Sequence, residues 1–234
     1  PVDPVVEGFT FDGWYKDAGL TTAWDFANNT VTGPTTIYAK LDPITPKITW
    51  PTTTEQVGYT MKVEYTKPGD TTAMELTTNG GPVPYNSVVT FTITIDKGYD
   101  ASQMQVGINN QLLAPKEING DDYIFEFTAK ENTNITVVGV ERKTVTIIYN
   151  DNGGYGGPVQ ETVNYYLLND TNNGKISKTE PKRAGYDFMG WSTDNKATWD
   201  ATADKITHES GVTATDLQPG NESPFTSDTV LYAV

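Results

Sequence analysis

The stretch that decides the fold is written twice, as GFTFDGWYKD at residues 8–17 and as GYDFMGWSTD at residues 185–194. The offset is constant, because 185 − 8 and 194 − 17 both equal 177. Each copy continues to a Trp-Asp pair, at 24–25 and 199–200, and closes on a similar segment, at 36–39 and 229–233. Agreement at so many aromatic and glycine positions indicates an internal repeat.

Aromatic residues in this motif stand at near-alternating positions, which puts them on one face of a sheet. Phe11 and Trp14 in the first copy correspond to Phe188 and Trp191 in the second. Gly13 between the first two permits a bulge or a close backbone approach. We therefore predict equivalent interior positions for the two Phe residues and for the two Trp residues.

The second copy has an upstream half that the first copy lacks. Residues 144–149 are β-branched and predict a strand, 150–157 (NDNGGYGG) predict a turn with positive φ, and 158–166 predict the returning strand. This copy also carries a long polar insertion at about 201–227, punctuated by Gly and Pro. Because binding surfaces concentrate on loops held by rigid scaffolds, we expect any function peculiar to this protein in that insertion.

The region between the copies, residues 47–142, predicts a β-sandwich. Its clearest strand lies at 88–95, where four apolar residues alternate with polar ones, as expected for one buried and one wet face: Val89, Phe91, Ile93 and Ile95. Short strands separated by turns at regular spacing fit such a fold. Residues 42–46 predict a short, stiff linker.

Composition restricts the classes of function. The net charge is −14 and no Lys/Arg cluster overrides it, so we expect no nucleic-acid partner. With no cysteine, disulfides, thiolate metal sites and cysteine nucleophiles are excluded. No apolar run approaches about 18 residues, so we expect no membrane insertion within 1–234; a signal peptide or wall anchor would lie outside it.

Two motifs resemble a catalytic site and a calcium site, but we assign neither function to them. His208 can be written with Ser210 and Asp204 as a triad, but no nucleophile turn accompanies it, and a solvated loop histidine is the preferred interpretation. Residues 169–180 place Asn173, Gly174 and further residues at the spacing of an EF-hand loop, but position 1 is Asn and no helices flank it. Whether this loop binds calcium stays open. We predict no catalytic residue, no cofactor and no metal site.

The residues at 8–17 and 37–40, and the fuller set at 149–154, 183–191 and 231–233, resemble the Listeria–Bacteroides repeat, the internalin-type B repeat of bacterial surface proteins. The resemblance implies compact β-grasp modules in tandem. It implies a partial repeat, the C-terminal half, at 1–41 and a complete repeat with its insertion at 143–234. The central unit is similar, more loosely, to Ig-like modules. The expected fold class is therefore mainly β: an Ig-like β-sandwich flanked by a partial and a complete β-grasp-like repeat.

The resemblance implies a non-catalytic structural or adhesive segment of a bacterial surface protein, either a stalk or an adhesion module, in an extracellular location. One alternative is a module that binds a carbohydrate or a host protein, and another is an accessory segment of a large secreted enzyme. The expected partners are a host or matrix protein, or a glycan. Because the half-repeat at 1–41 lacks partner strands, we also expect it to pack on the sandwich or to self-associate.

Overall fold

The computed structural model describes all residues, 1–234. The chain forms two compact units, one made of residues 1–96 and 101–140, the other of 97–100 and 141–234. It contains no helix, so the predicted mainly β fold class is confirmed. The strands, in chain order, are β1 Phe9–Tyr15, β2 Tyr38–Pro43, β3 Lys47–Thr49, β4 Tyr59–Thr66, β5 Met74–Glu75, β6 Gly81–Pro82, β7 Ser87–Ile95, β8 Tyr99–Asp100, β9 Gln105–Ile108, β10 Gln111–Leu112, β11 Glu117–Asn119, β12 Asp122–Ala129, β13 Thr133–Val138, β14 Glu141–Arg142, β15 Thr144–Asn150, β16 Gln160–Asn164, β17 Trp191–Ser192, β18 Thr198–Asp200, β19 Lys205–Thr207, β20 Asp216–Leu217 and β21 Thr229–Ala233.

The first copy of the motif forms a two-stranded antiparallel sheet, β1–β2. Trp14 lies opposite Ala39, and the register shifts between Phe11 and Trp14. Gly13 lies inside this shift with φ +114°, a conformation that side-chain-bearing residues rarely adopt. The glycine therefore makes the bulge that the sequence predicts, and the bulge re-aims the tryptophan.

The half-repeat touches the sandwich at one corner. The ring of Tyr85 lies so close to Gly8 that a Cβ there would be 2.9 Å from the Tyr85 Cδ1 atom. The Tyr85 hydroxyl donates a hydrogen bond of 3.2 Å to the Glu7 carboxylate, and Lys130 lies 3.7 Å from the same carboxylate. These contacts join the start of β1 to the neighbouring sheets within the first unit.

The rest of the first unit is a pair of five-stranded sheets, ordered β10-β9-β13-β3-β6 and β11-β12-β7-β4-β5. Strand β7 is central in the second sheet and shows the alternation that its sequence predicts, with its apolar side chains buried from Val89 to Ile95. Phe91 stacks on Phe125 of the adjacent strand at 5.0 Å between ring centroids. Aromatic and β-branched cross-strand pairs of this kind hold the sheet in register.

The second unit contains a mixed sheet of order β16-β15-β21-β17-β20, in which β15 and β21 run parallel and the other pairs are antiparallel. Two shorter pairs accompany it, β14–β8 and β18–β19. One face of the sheet carries the core, which consists of Ile147, Tyr149, Ile176, Trp191, Leu217, Leu231 and Ala233. The turn after β15 has positive φ at Asn152 and Gly153, as predicted from its sequence.

The two copies use the same register at their central pair. Trp191 lies opposite Ala233, as Trp14 lies opposite Ala39. In each copy the Phe and Trp rings meet edge to face, at 5.6 Å in the first and 5.1 Å in the second. The expected equivalence of these positions holds in register and ring geometry, but not in burial: Trp191 is fully buried and Trp14 is only partly so.

Candidate functional site

The inserted segment of the second copy lies between Asp194 and Asp216. The pairing of Ser192 with Asp216 corresponds to the bridge between Tyr15 and Ala23 in the first copy. From Asp194 to Asp216 the chain advances 22 positions, whereas the corresponding step from 17 to 23 takes 6, so the second copy has 16 extra residues here. This placement differs from the expected insertion at 201–227.

The difference has a physical cause. In the first copy the Trp24 amide donates to the Trp14 carbonyl at 2.7 Å, and in the second copy Leu217 pairs with Trp191. Leu217, and not Trp199, therefore takes the place of Trp24 in the sheet. The matching Trp-Asp letters at 199–200 belong instead to the start of a separate hairpin.

That hairpin, β18–β19, occupies residues 198–207 of the inserted segment. Trp199 lies opposite Ile206, and Asp200 lies opposite Lys205. The Asp200 carboxylate accepts hydrogen bonds from the amides of Thr202 and Ala203, at 2.8 and 3.0 Å, and these bonds stabilise the tip. The segment thus contains an ordered hairpin at 198–207, followed by a stretch without strands at 208–215.

His208 closes the base of the inserted segment. Its Nδ1 atom lies 3.0 Å from the Asp194 carboxylate and its Nε2 atom lies 2.9 Å from the Asp216 carboxylate. The imidazole side chain is 16% exposed, and the two aspartates stand where the inserted segment leaves and rejoins the sheet. The expected solvated loop histidine is therefore wrong, because the ring bridges both ends of the segment.

This arrangement favours the charged ring. The hydrogen bond with Asp216, followed by that with Asp194, raises the pKa of His208 above its usual value. The pKa of Asp194 is lowered, first by the Lys196 amide and then by His208. Two ring nitrogens that both face carboxylates can both donate only when the imidazole is protonated. When the ring is protonated the cluster is an ion-paired clamp, and both ring nitrogens face aspartates rather than Ser210.

A groove of about 490 Å³ lies beside the hairpin, and the hairpin supplies one wall. Trp199 lines the groove, as do Tyr186 and Phe188 of the repeated motif. Tyr186 is 65% exposed and carries the Arg183 guanidinium 4.2 Å above its ring. Aromatic faces beside charged groups can stack on a sugar or anchor an extended peptide.

Residues 169–180 are held by protein groups. Arg142 binds the Asp170 carboxylate at 2.8 Å and the Asn173 side-chain oxygen at 2.7 Å. The Asn173 oxygen also accepts from the Leu167 amide, and Ile176 is buried in the core. The Asn173 oxygen, at position 5 of the EF-hand spacing, is thus occupied by donors from the chain itself.

No group of three or more His, Asp or Glu side chains is arranged to hold a metal ion. Nor does the chain contain a helix of the length and apolar character needed to span a bilayer. Sequence reasoning missed the His208 clamp and the groove. The partners of His208 stand 14 and 8 residues from it, and no spacing rule joins them.

Residues 1–40 and 146–214 match the family model of the Listeria-Bacteroides repeat domain. The resemblance drawn from the motif is thus confirmed over these two segments. The repeat is typical of extracellular surface proteins, and its family is not an enzyme family. The Ig-like resemblance of residues 47–142 is not confirmed.

Two proteins of Evansella cellulosilytica are similar to the chain. One, named "Putative Gly-rich membrane protein", is 58% identical over 40 residues, which are 17% of this chain and 5% of that protein. The other, named "Putative membrane protein", is 27% identical over 208 residues, which are 88% of this chain and 26% of that protein. The chain therefore spans about a quarter or less of these relatives. No solved structure matches it.

Proposed function

We propose that residues 1–234 are a non-catalytic structural or adhesive segment of a bacterial surface protein, acting as a stalk or an adhesion module outside the cell. The observation that carries the proposal is the duplication. Two copies of one surface-protein repeat keep the same Trp–Ala register and a positive-φ glycine before the tryptophan. Tandem repetition of small units is a common way to build extended protein surfaces.

Charge supports the same function. A net charge of −14 keeps an exported polypeptide soluble and repels anionic surfaces. The names of the two relatives place them at membranes, and their greater length leaves room for an anchor and for other domains. Host or matrix proteins and glycans are the partners that such a segment would meet.

The experiment uses antibodies raised against the purified chain. Flow cytometry of intact cells of the producing organism should detect the segment, and protease added outside should remove the signal. An intracellular marker that stays unlabelled serves as the control for leakage. Labelling that requires permeabilised cells would refute a surface location.

Competition distinguishes the two forms of the proposal. Excess purified chain should reduce attachment of the cells to host matrix if the segment is adhesive, and should leave attachment unchanged if it is a stalk. Fab fragments against the second unit give an independent measurement of the same question. Attachment that is lost in a deletion strain but resists both reagents would assign the segment to the stalk.

A second candidate function, carbohydrate or host-protein binding, is favoured by the groove beside Trp199. Its size falls in the range of ligand sites, about 300–1,000 Å³, and its lining includes the aromatic residues Tyr186, Phe188 and Trp199. Glycan and matrix-protein arrays should then give hits that Trp199→Ala abolishes. Trp50→Ala, a substitution in the first unit, serves as the matched control. Arrays without hits, or hits that Trp199→Ala leaves intact, would refute this candidate.

A further inference from the structure

The groove of about 490 Å³ depends on residues that the second copy adds to the repeated motif. Ala197, Thr198 and Trp199 line it, and all three lie in the inserted segment. The hairpin that carries them packs against the motif through Ile206, which lies opposite Trp199. A Cβ built on Gly190 would lie 3.3 Å from the Ile206 Cδ1 atom, so the glycine admits this close approach. The hairpin thus holds Trp199 in a fixed place beside the motif.

Tyr186 contributes an aromatic platform to the same groove. Its side chain is 65% exposed, and the Arg183 guanidinium covers one face of the ring at 4.2 Å. The guanidinium is itself held, because its Nη1 atom donates a hydrogen bond of 3.1 Å to the Asn152 carbonyl oxygen. A cation fixed over one face restrains the ring and leaves its other face available to a ligand.

The charged side chains of the lining balance in sign, although the chain as a whole carries a net charge of −14. Two are acidic and two are basic: Asp151, Asp187, Lys182 and Arg183. Neither the Asp187 carboxylate nor the Lys182 ammonium group is paired within the chain. A ligand in the groove therefore meets both acceptors and donors, without a net positive potential.

We propose that the groove binds a neutral glycan, a ligand class that rests on the second candidate function above. The apolar C–H face of a sugar ring stacks on the open face of Tyr186 and on Trp199. Sugar hydroxyls donate to the Asp187 carboxylate and accept from Lys182 and Arg183. Because a hydroxyl is at once a donor and an acceptor, it suits a lining that carries both signs of charge.

Other ligands fit this lining less well. An acidic glycan would gain no net attraction in the groove and would be repelled by the rest of the chain. An extended peptide binds by adding to a free strand edge, but residues 181–189 form no strand. The Lys182 amide and carbonyl are bonded to Tyr155, and the Tyr186 amide donates to the Arg183 carbonyl at 3.1 Å. This side of the groove therefore offers no edge for a peptide.

The experiment applies the purified full chain to an array of neutral glycans that includes cellotriose, maltotriose and N-acetyllactosamine, with heparin and hyaluronan fragments as acidic comparators. The strongest neutral ligand is then titrated by calorimetry. We expect its affinity to change little with salt, because no charge pairing with the ligand is involved. Tyr186→Ala should weaken binding by roughly tenfold or more, since an aromatic anchor is lost.

Phe9→Ala is the matched control. The offset of 177 places Phe9 at the position of Tyr186, and its side chain is 44% exposed in the copy that lacks the hairpin. This variant should keep the affinity of the wild type. Asp187→Asn removes an exposed charge and should weaken binding without affecting the fold. Thermal unfolding shows whether each variant is folded, so loss of binding is not mistaken for loss of structure.

An array without neutral ligands, or ligands whose affinity survives both Tyr186→Ala and Asp187→Asn, would overturn the proposal. So would binding that is confined to the acidic fragments and disappears with added salt. Binding of a matrix protein that Tyr186→Ala abolishes would overturn the glycan but would keep the groove as a binding site. The surface location is measured separately by cytometry, so its failure is distinguishable from all of these outcomes.

Discussion

Trp191 lies directly opposite Ala233 across the antiparallel pair β17–β21. The small residue leaves room for the indole, which meets Tyr149 at 4.9 Å and Phe188 at 5.1 Å in edge-to-face contacts. This arrangement makes the tryptophan the centre of the second repeat, and it explains why a Trp and an Ala recur together at corresponding places in both copies.

Replacing this tryptophan should destabilise the second unit strongly. Removing a fully buried Trp costs about 3–5 kcal/mol through lost burial and the cavity that remains. Trp14→Ala should cost clearly less, because Trp14 is partly exposed and its core is incomplete. Urea denaturation with segment-resolved hydrogen exchange measures both. Equal losses for the two variants would contradict the assignment of Trp191 to a complete core.

The positive-φ glycines that precede the two tryptophans provide a second matched pair. Gly190 has φ +135°, and a Cβ on it would lie 2.7 Å from the Gln218 Nε2 atom and 3.1 Å from the Leu217 carbonyl oxygen. Gly13 has φ +114° with open space around it. Backbone strain of this kind costs about 1–3 kcal/mol, so Gly13→Ala should lower stability by that amount. Gly190→Ala should lower it further, which thermal unfolding would detect.

The clamp at His208 predicts a dependence of stability on pH. The folded pKa of His208 is raised, so its contribution is complete below the unfolded value of 6.5 and is lost as the pH rises through the folded pKa. Asp194 acts in the opposite direction: its folded pKa is lowered, so its contribution is lost as the pH falls through that pKa. The groups facing the ring are Asp194 and Asp216, with Lys196 and Glu209 close by.

His208→Gln should remove the alkaline part of this dependence. Hydrogen exchange of 195–215, measured from pH 5 to pH 9, should show protection that declines above pH 6.5 in the wild type and stays flat in the variant. Asp216→Asn is the companion variant and should shift the decline to lower pH. A wild-type profile that matches the variant would show that the ring does not hold the segment.

Arg142 should be required to hold residues 165–173 in their observed conformation. Its guanidinium binds the Tyr165 carbonyl, the Asp170 carboxylate and the Asn173 side chain, and its side chain is 13% exposed. Arg142→Ala should cost about 2–3 kcal/mol, because several charge-assisted hydrogen bonds are lost together. Arg142→Lys keeps the charge but not the planar fork, and should recover only part of the stability measured by urea denaturation.

Much of this fold follows from sequence because its strongest signals are local. The alternation in β7 and the glycine bulge are set by residues within a few positions of one another, and both are observed. The place of the insertion depends instead on pairing between residues far apart in the chain. The Trp-Asp pair of the first copy recurs in the sequence at 199–200. In the sheet, however, Leu217 pairs with Trp191 and so occupies the position that Trp24 has beside Trp14.

The candidate site was harder still to predict from the sequence. The clamp joins His208 to two aspartates through a hairpin that brings its ends together, so its geometry exists only after the hairpin has formed. The groove likewise combines Trp199 with residues of the repeated motif. Neither could be found by a rule that compares residues along one strand.

Because Asp194 and Asp216 both contact one imidazole, the 21 residues between them leave and re-enter the sheet at nearly the points that a much shorter connection links in the first copy. The strand pairing of the five-stranded sheet uses no residue of β18–β19. Foreign peptides could therefore be grafted in place of β18–β19. His208 would be retained to hold the two ends of the segment together, and the repeat would then carry epitopes or affinity tags.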